Sequence, residues 1–162
     1  MARHLLPVGL DFIETAPLRL VFAREVAAPP AAVYRALAED VEGWPQWFSA
    51  VTLARPAEAG ADGPRREIRL KGGGRFLETI VAARPDEVYA YRVDEANAPG
   101  VRALLEEWRI TPVPGGSRVQ WTFAADGAAL FLAGVKVGRS GLGRAFRDAV
   151  AKLERRLATA AA

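Results

Sequence analysis

The chain has no cysteine, and one histidine, His4, in 162 residues. The first absence excludes a disulfide framework and thiol chemistry. The second leaves no multi-histidine metal site, so neither a metal nor a cofactor is expected. No apolar run approaches the length of a membrane span. The opening residues also lack a basic stretch followed by a long apolar core and a small-residue cleavage site. Together these features fit a reducing cytoplasm and argue against export or an integral membrane segment. An excess of one charge is missing too, since 22 basic residues stand against 19 acidic ones, a net of +3. Most of the basic residues are arginines scattered singly among acids, which argues against a nucleic-acid groove. There is no Gly-x-Ser-x-Gly elbow and no phosphate loop ending in Gly-Lys-Ser/Thr. Gly72-Gly73-Gly74 is not followed by a helix and reads as a turn.

What is present is one strongly patterned helix and a series of strands. Over residues 140–158, Leu142, Phe146, Ala149, Val150, Leu153 and Leu157 recur at helical spacing, with Arg144, Asp148 and Lys152 following one another at i, i+4 on the polar side. A helix with one apolar stripe needs a surface to cover it, and the rest of the sequence offers a sheet. A chain of this length forms one domain and buries roughly 70% of the surface its unfolded form exposes.

Residues 1–17 form an N-terminal arm ahead of a domain over residues 18–160. Leu18, Leu20 and Phe22 alternate as in a half-buried strand. Ala28-Pro29-Pro30 stops it and starts a short helix over residues 31–38, followed by a turn or second short helix over residues 40–46. Further strands are expected over residues 50–55, 65–71, 75–83, 88–93, 101–111 and 118–125, with a loop at residues 56–64 and a hairpin turn at residues 112–117. Short connections imply antiparallel neighbours.

Glu25-Val26-Ala27-Ala28-Pro29-Pro30-Ala31-Ala32-Val33-Tyr34, then Asp40 and Trp44-Pro45-Gln46-Trp47, resembles the opening of the START-like (SRPBCC) superfamily, which includes polyketide cyclases and lipid-transfer domains. The hairpin Pro114-Gly115-Gly116-Ser117-Arg118-Val119-Gln120-Trp121 is similar to that superfamily's Gly-Gly-(Thr or Ser)-x-Val turn. The likeness covers residues 18–158. It implies an α+β helix-grip fold: a curved antiparallel sheet of about seven strands wraps a long C-terminal helix, two short helices lie between the first two strands, and a cavity lies between sheet and helix.

Strand parity nominates the residues of that cavity. Val119, Trp121 and Phe123 share one face, and Leu104, Trp108 and Ile110 share the matching one across the hairpin. The same parity puts Glu106 and Arg102 on the Trp108 face. Glu78 lies between Phe76 and Ile80, although Leu77, Thr79 and Val81 make an equally good inner face. Tyr89 and Tyr91 are expected at the rim with hydroxyls in reach, and Phe146 faces the site from the helix. Trp44 and Trp47 are expected to pin the helical insertion onto the sheet, contact with a ligand being the alternative for either of them and for Tyr34 on the first helix. The glycine-rich apolar stretch at residues 130–143 is either a loop or irregular first turn feeding the last helix, or a flap over the cavity.

Two functions are compatible with these features. One is binding of a hydrophobic small molecule, such as a lipid, quinone or polyketide, in the cavity, with Glu106, Trp108, Trp121, Phe123, Tyr91, Glu78, Arg102 and Phe146 as its contacts. The alternative is a cyclase or dehydratase-type enzyme in which inward acids and tyrosines move protons. A homodimer is left open.

Overall fold

The computed structural model describes residues 1–161. After a two-residue strand β1 (Arg3–His4) and a single helical turn α1 (Phe12–Thr15), β2 (Leu18–Val26) begins the main sheet. The helical insertion follows as α2 (Pro30–Tyr34), a π-helical turn (Arg35–Glu39), a 3-10 turn (Val41–Gly43) and α3 (Trp44–Trp47). Then come β3 (Val51–Gly60), β4 (Gly63–Leu70), β5 (Arg75–Arg84), β6 (Val88–Ala96), β7 (Val101–Val113) and β8 (Gly116–Gly127), followed by α4 (Ala129–Val137) and α5 (Arg139–Ala161). The strands form one antiparallel sheet in the order β2-β8-β7-β6-β5-β4-β3. This is the helix-grip arrangement, with α5 on the concave face.

Helix α5 buries Phe146, Ala149, Val150 and Leu153 against the sheet and the helical insertion. Gly143 permits its close approach to β2, since a Cβ there would lie 3.0 Å from the Phe22 ring. On the flank of α5, Glu154 Oε1 accepts the backbone N–H of Ala27 at 2.7 Å, and Oε2 accepts from Arg24 at 3.1 Å. A carboxylate thus holds the end of β2 where the chain leaves the sheet. Glu154→Ala is expected to cost about 1–2 kcal/mol in urea unfolding, because charged hydrogen bonds are lost at a partly exposed site. An unchanged midpoint would show that this clamp is not holding the strand end.

The arm does not hang free. Beyond Arg92 the pairing of β6 with β7 ends, and β1 pairs with β6 instead, Arg3 opposite Ala96. Leu5 N–H donates to Asp94 and Leu6 N–H to Arg102, both at 2.8 Å, so the arm bridges the split between the two strands. On the convex face Ile13 covers Leu105 and Ala124, apolar side chains that a one-sided sheet would leave in water.

Two local expectations are corrected. Residues 56–64 are not a loop: β3 and β4 run through them and turn tightly before Gly63, which sits at φ 137. Pro56 is tolerated because β3 is the edge of the sheet, where a missing N–H costs no ladder bond. Residues 130–137 are neither a loop nor the first turn of the last helix but a separate helix, α4, with Gly138 at its C-cap.

Candidate functional site

Four neighbouring strands of the concave face each bring a polar group to one cavity. Arg66 on β4 lies opposite Glu78 on β5, and Tyr91 on β6 lies opposite Glu106 on β7. They surround a cavity of about 170 Å³ between the sheet, α3 and the first half of α5. Its walls are otherwise almost entirely apolar, with Trp44 and Phe48 from the insertion, Phe76, Trp121 and Phe123 from the sheet, and Leu142 from α5. At Ala50 and Ala145 it adjoins a surface groove that also includes Ser49, Lys71, Arg144 and Asp148.

Arg66 is the centre of the polar set. It is 2% exposed, and its Nε donates to Glu78 Oε2 at 2.6 Å. The guanidinium carbon stands 3.9 Å from the centre of the Tyr91 ring and 4.3 Å from that of Trp44, so two aromatic faces hold the cation. Burial works against its charge, but Glu78, together with Tyr89 and Tyr91, more than offsets this and the guanidinium stays protonated. Burial also pushes the Glu78 carboxyl upward, against the pull of Arg66. Nη1 of Arg66 is buried and has no hydrogen-bond partner among the described residues.

Glu106 completes a relay of donors. Trp108 Nε1–H donates to the Tyr91 hydroxyl at 3.0 Å, and that hydroxyl donates to Glu106 Oε2 at 2.7 Å. Trp121 Nε1–H donates to the same oxygen at 2.9 Å. Desolvation, and then the negative charge of Glu78, push the Glu106 carboxyl up to about 7, although its two donors resist the shift. Burial, with Glu106 beside it, holds Tyr91 well above the usual phenol range, so it remains a donor. The cavity therefore contains a fixed cation, its counter-charge and a carboxyl group that changes charge near neutrality.

Of the residues nominated from the sequence, Glu106, Trp121, Phe123, Tyr91 and Glu78 line the cavity. Trp108 and Phe146 do not. Both are completely buried one layer behind the wall, Phe146 stacked on Trp121 with ring centres 6.1 Å apart. Arg102 is outside the site altogether. Val101 pairs with Gly127 and Ala103 with Asp126, so Arg102 is the extra residue of a bulge, and it forms an ion pair with Asp126 at 2.8 Å on the surface. The bulge ends before Leu104, so the alternation that turns Glu106 inward is intact. Glu107 faces the other way and accepts from Arg109. Tyr89 and Tyr91 are buried, not at the rim. Trp44 both pins the insertion and reaches the cavity.

Sequence reasoning missed Arg66. The signal was available in its parity with Ile68 and Leu70, and in the hairpin register that sets it opposite Glu78. One arginine among many, next to a stretch rich in Gly and Pro, reads as surface until both neighbouring strands are placed.

A family model described as polyketide cyclase / dehydrase and lipid transport matches residues 17–158. The chain belongs to this family. It is 34% identical over 120 residues to an uncharacterized protein of Mycobacterium tuberculosis, a match that covers 72% of this chain and 71% of that protein. Among solved structures it is similar to a Thermus thermophilus protein at 22% identity and TM-score 0.69, covering 90% of this chain and all of the other. It is also similar to a START superfamily protein from Mycobacterium smegmatis at 16% identity and TM-score 0.59, covering 80% and 96% of the two chains. The family's START-like fold is the one described above.

Proposed function

We propose that the protein binds a small, mostly apolar molecule carrying a carbonyl or similar acceptor oxygen, with its body against the aromatic wall and its oxygen at Arg66. The observation that carries this reading is Arg66, which is part of the lining of an apolar cavity and whose buried Nη1 has no hydrogen-bond partner among the described residues. A buried donor of this kind favours a ligand that satisfies it and penalises one that cannot. At about 170 Å³ the cavity accepts a single ring or the end of an acyl chain. A whole lipid, quinone or polyketide would bind with the rest of its length beyond the mouth at Ala50 and Ala145.

Calorimetric titration with acetophenone and with cumene, its hydrocarbon isostere, separates the two contributions. The ketone is expected to bind saturably and about tenfold more tightly, equivalent to about 1.4 kcal/mol. Equal affinities would remove Arg66 as the anchor, and no saturable binding by folded protein would remove the site.

The Glu106 carboxyl, at about 7, favours a second reading as a cyclase or dehydratase-type catalyst. Above that pH its carboxylate accepts a proton from the carbon next to the carbonyl, the electron pair moves onto the oxygen, and Arg66 stabilises the resulting enolate. Returning the proton restores the ketone. Deuterium entering the methyl group of acetophenone in heavy water, and lost in Glu106→Gln, would mark this chemistry. Tight binding without exchange would leave a binding protein.

A further inference from the structure

Helix α4 presents an apolar surface to water that the fold does not use. Its inner residues Phe131, Leu132 and Val135 pack on the cluster around Leu104 and Ala125. Its outer residues Leu130, Ala133, Gly134 and Val137 fall at i, i+3, i+4 and i+7, and all are exposed, with Leu130 and Val137 each 86% accessible. A helix that is apolar on both sides ordinarily lies in a protein interior or against a non-aqueous phase. Along the chain, the charge over and after this helix has one sign. Residues 127–147 contain no Asp or Glu, while Lys136, Arg139, Arg144 and Arg147 are exposed.

We propose that α4 is a membrane-docking helix, which seats Leu130 and Val137 in the headgroup boundary of an anionic bilayer while the neighbouring cations contact lipid phosphates and carboxylates. An apolar stripe rimmed by Lys and Arg is the pattern that such surfaces select. The helix lies on the surface and does not span, since no helix among the described residues is long and apolar enough to cross a membrane. A second copy of the chain is a poorer occupant. The stripe is only about 10 Å long, whereas a stable dimer buries upward of about 1,000 Å². The docked helix would lie beside the cavity, because Leu142 packs in the same cluster as α4 and also forms part of the cavity wall. The docking itself does not depend on what the cavity binds.

The test is flotation of the full chain with vesicles of phosphatidylcholine, with and without phosphatidylserine. The protein is expected to float with the serine-containing vesicles at low salt and to be released by high salt. Leu130→Ser/Val137→Ser changes two exposed residues and should leave the thermal midpoint unchanged while lowering partitioning by about tenfold or more. Lys136→Glu/Arg139→Glu should do the same through charge alone. Equal flotation with both vesicle types, or full retention in both double variants, would overturn the proposal. So would a concentration-dependent dimer in light scattering that Leu130→Ser/Val137→Ser abolishes, since the stripe would then belong to a second copy.

Discussion

Arg66→Met is expected to destabilise the protein by about 3–5 kcal/mol near neutral pH, because it leaves the Glu78 carboxylate buried with no counter-charge. Glu78 is 4% exposed and Arg66 is its only ion-pair partner among the described residues. The substitution also removes the cation held between Trp44 and Tyr91. Most of the loss is the cost of a stranded charge, so Arg66→Met/Glu78→Leu should recover the larger part of it by replacing both members with apolar groups. The two variants, measured by urea unfolding, distinguish a charge effect from a packing effect. A double variant as unstable as the single one would mean that the site needs the shape of the pair rather than its electrostatics. In the single variant the deficit should shrink in acid. Burial holds the Glu78 carboxyl above its unfolded value, so the folded protein takes up a proton there before the unfolded chain does, and stability is lost as pH rises.

Glu106→Gln should make the protein more stable above about pH 7, by roughly 2–3 kcal/mol, and no more stable toward pH 4.5. In the folded state the carboxyl is raised from 4.5 to about 7 by desolvation first and Glu78 second. Between these values the folded chain binds more protons than the unfolded one, so the wild-type protein loses stability as pH rises through that window. Glutamine carries no charge, and its amide oxygen can accept from both Tyr91 and Trp121 as the carboxylate does. Thermal or urea midpoints of the two proteins should therefore coincide near pH 4.5, separate progressively as pH rises to about 7, and stay apart above it. Parallel curves would mean that Glu106 is solvated through the cavity mouth and carries no penalty. Glu106 thus costs stability in the folded state while lining the cavity, which is the pattern expected of a residue the proposed binding role would require.

Much of the architecture was legible in order and period. Alternation over Leu18, Leu20 and Phe22, the Pro29-Pro30 helix start, the hairpins and the 3.6-residue stripe of Phe146, Val150 and Leu153 each depend on neighbours a few residues apart. Local steric and hydrogen-bond rules act at that distance. The inward turn of Glu106 was legible for the same reason, since it required only a regular strand from Leu104 to Trp108. Arg102 failed because one bulged residue reverses facing, and a bulge leaves no mark in composition. Residues 56–64 failed because proline and glycine forbid an interior strand but not an edge strand, and being at the edge is a property of the whole sheet.

The sequence by itself determined a sheet of alternating strands, a long amphipathic helix to fill its curve, and an acid pointing inward. Tertiary structure alone decided that Arg66 meets Glu78, that Trp44 and Tyr91 enclose the cation, that Trp108 and Phe146 lie behind the wall, and that α4 keeps an apolar face in water. The physical reason is distance along the chain. Arg66, Glu78, Tyr91 and Glu106 come from four strands whose register is set by every hairpin between them, and the value of a charge depends on which of those groups closes around it.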